Sequence, residues 1–168
     1  MSQVMKYWNH PLKGNGSHTY NSGGPGYPSF PGLSANFGET NYDWENMPLQ
    51  LNASSPQVQI EAVATLMYHC GVSVNMMYAP DGSGAYSQDV PSSISQYFDY
   101  TNQAMYRSRD SYNYDAWSAM LMESHDMGWP VYYSGQGPDG GHAFVCDVYD
   151  DNGFFHYNWG WSGSGDDY

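Results

Sequence analysis

Positive charge is scarce in this chain: Lys and Arg together number 4, against 17 Asp and Glu, for a formal net charge of −13. A surface so short of cations cannot hold a phosphate backbone or an anionic headgroup layer, which excludes nucleic-acid and membrane-surface partners. No apolar run approaches the roughly 18 residues that a spanning helix needs. The opening MSQVMKYWNHP has no leader-like apolar core. Cysteine is limited to Cys70 and Cys146, too few for a disulfide framework and without the paired spacing of a zinc site. No metal and no organic cofactor is expected.

Aromatic side chains, by contrast, are plentiful: 17 Tyr, 6 Trp and 6 Phe make up 17% of the chain, which excludes disorder over most of its length. At 168 residues the chain has the size of one ordinary domain, able to bury roughly 70% of its unfolded surface. We therefore expect residues 1–168 to form a single catalytic-size unit. Charged residues are only 12%, and the abundance of Gly, Asn, Ser and Tyr fits an exported bacterial protein.

Residues 1–9 read as a short helix with Met1, Met5 and Trp8 at helical spacing. Residues 13–51, rich in Gly, Pro, Asn, Ser and Tyr, read as one long irregular segment packed by its aromatics. Ser55-Pro56 is a helix start. Val58, Ala62, Val63, Leu66, Met67 and Cys70 then share one face, and Gly71 is the expected stop. Val72–Tyr78 reads as a strand, 81–84 as a loop, Ser87–Phe98 as a helix despite Pro91, and Asp115–Met127 as a further helix. Pro130–Ser134, His142–Tyr149 and Phe154–Trp161 read as strands, the last two joined through Asn152-Gly153. Helices first and antiparallel strands last predict an α+β fold with segregated layers.

The densest chemical signal is Gly140-Gly141-His142-Ala143-Phe144-Val145, answered on the returning strand by Asn158-Trp159-Gly160-Trp161. A His on one strand and an Asn-Trp pair on the next is the arrangement of papain-like cysteine proteases. There the His is the general base for a thiol, the Asn orients the imidazole, and a Trp shields that hydrogen bond from water. The glycines before His142 would let a substrate backbone approach closely.

More of the sequence narrows the match. SQVMKYWNHP at 2–11, NYDWENMP at 41–48, LMYHCGVSVNMMY at 66–78, GSGA at 82–85, PVYYSG at 130–135, GGHAFVCDVYD at 140–150 and FHYNWGWSG at 155–163 resemble the streptopain family of bacterial cysteine proteases. The resemblance implies a papain-like α+β fold, a protein or peptide substrate and an inhibitory prosegment. It also implies a nucleophilic Cys about five residues before Met1, on the helix that continues as SQVMKYW, and further family structure beyond Tyr168. By the same resemblance, His142, Asn158 and Trp159 are catalytic, and Ser83, Gly84, Gly141 and Trp161 meet the substrate. Taken without it, the 82–85 segment reads as a plain turn.

Neither cysteine of the chain is expected to be the nucleophile. Cys146 lies four residues beyond His142 on the same strand, about 13 Å away at about 3.3 Å per residue. Cys70 sits on an apolar helix face, as a small buried hydrophobe does. Which residue partners His142 depends on the hairpin. A two-residue turn sets Asn158 opposite Asp147 and brings Trp159 to the face of His142, whereas a three-residue turn or one bulge returns Asn158 to it. Both are carried, Asn158 first.

His10, His18, His69 and His125 have no paired spacing and read as solvated or capping residues, and His156 reads as structural. Asp150-Asp151 and Asp166-Asp167 read as a solvated turn and tail. The competing reading is a glycan- or calcium-binding exported module using those Asp-rich turns. A transglutaminase-like acyl transferase would carry Asp where Asn158 stands.

Overall fold

The computed structural model describes residues 1–138, 140–161 and 164–165. The chain divides into two compact units: Ser2 with Val4–Tyr106, and Met1 and Gln3 with Arg107–Tyr168.

In the first unit, helix α1 (Ser2–Trp8, Gln3 falling to the second unit) precedes a hairpin of β1 (His18–Gly24) and β2 (Tyr27–Ala35), helix α2 (Gln57–Ser73) and helix α3 (Val90–Tyr97). The core is aromatic. Phe37 and Phe98 are fully buried, and the Phe37 ring stacks on Tyr97 at 4.6 Å and meets Phe98 edge-on at 5.3 Å. Trp44 donates its indole N–H to the Pro11 carbonyl at 2.8 Å, so this large ring is buried with its polar atom satisfied.

Local structure departs from the expectations in four places here. The segment 13–51 is not wholly irregular, because β1 and β2 pair antiparallel from His18↔Ala35 to Gly24↔Tyr27, with two register shifts. The hairpin is anchored by side chains, Tyr20 and Ser22 both donating hydroxyls to the Met76 carbonyl. Helix α2 does not stop at Gly71 but runs to Ser73, with the left-handed residue at Asn75. Gly71 is required by packing instead: a Cβ there would lie 2.0 Å from the Tyr78 hydroxyl. The predicted strand Val72–Tyr78 is accordingly absent, reduced to a single bridge between Met77 and Gly84. Finally, the buried face of α2 is Ala62, Leu66, His69, Cys70 and Ser73, while Val58 and Met67 are exposed.

In the second unit, helix α4 (Tyr114–Asp126) packs on a three-stranded antiparallel sheet, β3 (Val131–Gly137), β4 (Gly140–Tyr149) and β5 (Phe155–Asn158), in the order β3-β4-β5. Asn113 caps α4 by accepting from the Ala116 amide at 2.8 Å. The inner face of α4 is Trp117, Met120, Leu121 and Ser124, half-buried to buried. Trp117 reaches the sheet by donating its indole N–H to the Tyr133 hydroxyl at 3.0 Å. Helices and separate antiparallel sheets make the fold α+β, the class expected from the sequence.

Candidate active site

The register of β4 with β5 fixes the site. Asp150 closes the turn, its carboxylate accepting from the amides of Asn152 and Phe154, each at 2.9 Å. These bonds hold the Asp150 carboxyl below the usual carboxylate range. Tyr149 then pairs with Phe155 and Val148 with His156, one position out of step with a two-residue turn. A bulge between Cys146 and Val148 shifts the register again, so that Cys146 pairs with Tyr157 and Val145 with Asn158. Either irregularity alone would turn Asn158 to the His142 face; together they cancel. Trp159 therefore lies on that face with His142, Phe144 and Tyr157.

The contacts follow the register. His142, exposed near the start of β4, has its Nε2 2.8 Å from the main-chain carbonyl of Trp159. A carbonyl only accepts, so Nε2 carries the hydrogen and Nδ1 presents a lone pair. Among the described residues no hydrogen bond reaches Nδ1. The imidazole sits in an aromatic bay, with ring centres at 5.1 Å from Trp161, 6.1 Å from Phe144 and 6.4 Å from Trp159. Trp159 in turn packs on Phe144 at 4.5 Å. These rings keep water off one side of the Nε2–carbonyl bond.

Asn158, expected first as the partner of His142, is engaged elsewhere. Its side-chain oxygen accepts from the Gly160 amide at 3.0 Å and from the Gln3 carboxamide. Gln3 was not foreseen, because its partner Asn158 lies 155 residues away and no local pattern links the two. Of the two glycines before the histidine, Gly140 is demanded by the backbone, with φ +127°, whereas a Cβ on Gly141 would meet nothing closer than 3.7 Å. Gly141 is exposed beside His142, so its lack of a side chain is not a requirement of the fold.

Ser83 and Gly84 belong to the other unit. Gly84 exchanges both main-chain hydrogen bonds with Met77, at 2.8 and 2.9 Å, and a Cβ there would lie 2.6 Å from the Tyr27 hydroxyl. Ser83 Oγ accepts from the Ala79 amide at 3.4 Å. The Gly84 N–H is thus spent on the Met77 carbonyl, and Gly at 84 is explained by Tyr27.

Both cysteines are buried. Burial pushes each thiol up to about 12, Cys146 with a further contribution from the neighbouring Asp147. Cys146 faces His125, whose Nε2 is 3.2 Å from its Sγ, while His125 Nδ1 donates to the Trp129 carbonyl at 3.2 Å. With Nδ1 protonated, Nε2 is the acceptor and the thiol donates, a neutral pair rather than an activated one. Of the histidines expected to be solvated or capping, His125 holds the carbonyl just past the end of α4, while His69 is buried with Nδ1 2.9 Å from the Tyr42 hydroxyl. His18 is also held, at 2.7 Å from the Asn75 side chain.

A base with one nitrogen held and the other open suits nucleophilic catalysis. The model of the peptidase C10 family matches residues 1–168. The chain belongs to that family. It is 35% identical over 167 residues to streptopain of Streptococcus pyogenes, covering 98% of this chain and 42% of that protein. It is equally 35% identical to the thiol protease/hemagglutinin PrtT of Porphyromonas gingivalis, of which it spans 18%. The chain thus spans less than half the length of the curated relatives it matches. Among solved structures, active interpain A of Prevotella intermedia superposes with a TM-score of 0.90 and 38% identity, over 99% of this chain and 70% of that one. A prointerpain A fragment gives 0.89 and 40%, covering 52% of that chain. The family is one of cysteine-type peptidases with a papain-like α+β fold, as the motifs imply.

Proposed function

We propose that this chain is the base-bearing part of a secreted bacterial cysteine endopeptidase, with His142 as general base and acid. The observation that carries the proposal is the Nε2 contact of His142 with the Trp159 carbonyl at 2.8 Å, which leaves Nδ1 as the free base. Membership of the peptidase C10 family supports it.

In this reading a thiol on the residues preceding Met1 gives its proton to Nδ1 and attacks the scissile carbonyl. The imidazolium, held by the Trp159 carbonyl and shielded by Trp159 and Trp161, returns that proton to the leaving amine. Water then hydrolyses the acyl-enzyme with His142 again as base. Asn158 supports the main chain that carries the Trp159 carbonyl rather than the imidazole itself. Gly141 and Trp161, exposed beside His142, are assigned to substrate contact, as are Ser83 and Gly84 by family resemblance. The substrate is a protein or peptide with an apolar residue two positions before the cleaved bond, and an inhibitory prosegment is the expected internal partner. That segment is suggested by the prointerpain relative.

The 168 residues by themselves are proposed to be inactive, because burial keeps both of their thiols protonated. The competing glycan- or calcium-binding reading is not favoured. The Asp150 carboxylate is occupied by its own turn, and Asp166 and Asp167 lie outside the described residues. The test is peptide hydrolysis by the protein carrying its upstream residues. Activity blocked by a thiol alkylator and lost in His142→Ala is expected; alkylator-sensitive hydrolysis by the 168 residues alone would overturn the proposed inactivity.

A further inference from the structure

The geometry points to Gln3 as a positioning residue for His142, acting through Asn158 and the main chain between them. This rests on the reading of His142 as the base. Gln3 donates from its carboxamide to the Asn158 side-chain oxygen, the same oxygen that accepts the Gly160 amide at 3.0 Å. The Gln3 carboxamide also lies against Gly160, where a Cβ would come within 3.6 Å of its oxygen and 3.7 Å of its nitrogen. Two donors therefore converge on one acceptor across the residue pair that flanks Trp159.

The consequence is geometric. Asn158 ends β5, and Gly160, with φ +75°, turns the chain out of the sheet. The peptide between them carries the Trp159 carbonyl, the atom that meets His142 Nε2. An Asx-type bond from Asn158 to the Gly160 amide sets the direction of that carbonyl, and Gln3 fixes the rotamer of Asn158 that makes the bond. Among the described residues Gln3 makes no hydrogen bond to His142. Its effect reaches the base only as the tautomer it holds: with the carbonyl in place Nε2 keeps the hydrogen and Nδ1 stays open.

The test reads the tautomer directly. In the isotope-labelled chain, long-range proton–nitrogen correlation gives the ratio of Nε2–H to Nδ1–H in neutral His142. Gln3→Met keeps the length and volume of the side chain and removes the donor; it should lower the ratio by about fivefold, the scale of one net hydrogen bond. Asn158→Ala should lower it equally, and the double variant no further, since both act through one bond network. An unchanged ratio in a folded Gln3→Met protein, or additive losses in the double variant, would overturn the assignment. Gln3→Glu, polar and of equal length but without the donor when ionised, gives a second reading. Loss of the fold in both variants would make Gln3 structural and equally overturn it. Because no substrate or thiol is needed, this outcome is independent of the catalytic reading, which instead fails if His142→Ala retains hydrolysis.

Discussion

Val145 and Asn158 stand directly opposite each other across the β4–β5 ladder, and this pairing turns the Trp159 side chain, not that of Asn158, toward His142. The imidazole is held by a main-chain carbonyl, so no side-chain substitution can delete its acceptor. In the thiol-bearing protein, His142→Ala should lower kcat/KM by about a thousandfold, the range of a lost general base. Asn158→Ala should cost only about tenfold, since it loosens the Trp159 carbonyl without removing it. Steady-state hydrolysis of one peptide by both variants checks the ranking, and an equal loss would contradict it.

Trp161 is 56% exposed and lies 5.1 Å from the His142 ring, so it borders the proposed site without stabilising a core. Trp161→Ala should leave the thermal midpoint within about 2 °C of the parent, as surface substitutions do. It should nevertheless reduce kcat/KM several-fold. A large fall in the midpoint would show that the ring is structural.

Gly71 lies within α2 against Tyr78, and a methyl group there would sit 2.0 Å from the hydroxyl and 3.0 Å from Cζ. Gly71→Ala should destabilise by about 1–3 kcal/mol through overpacking, despite the better helix propensity of Ala. Tyr78→Phe in the same chain should restore part of that loss by removing the closest atom. Urea unfolding of the parent and the two variants measures both effects.

His69 is buried, and desolvation holds its folded pKa below the ordinary value; His125 is lowered by burial too. A depressed His binds more protons unfolded than folded, so stability should rise with pH. That stability is complete above the unfolded value near 6.5 and is lost as pH falls below it toward the folded value. Urea midpoints measured from pH 7.5 down to 5 should fall accordingly. A His69→Gln chain should show a shallower fall, which His125 and the carboxylates still contribute to.

Cys70 and Cys146 are both buried, with thiols pushed up to about 12. Iodoacetamide at pH 8 should label neither while the chain is folded and both in urea. Mass spectrometry of the labelled chain decides this, and rapid labelling of either in the folded chain would contradict the proposed inertness.

Where the helices and the last three strands lie was legible locally. The helix about Asp115–Met127 and the strands about Asp150–Gly153 come from patterns spanning a few residues, as does the grouping of His142 with Asn158-Trp159. The β1–β2 hairpin was not legible, because its Gly- and Pro-rich strands lack alternation and are anchored instead by Tyr20 and Ser22 on Met76.

The sequence by itself determined the α+β class and the family, and it singled out His142 as the expected base, since each is carried by short motifs and local periodicity. Only the tertiary structure decided which neighbour holds that His. That choice is a matter of parity: the offset from the turn and the offset from the bulge must be summed, and neither is encoded in the residues that meet. The burial of His69 was likewise decided at a distance, by Tyr42 arriving from 27 positions earlier to supply the polar partner.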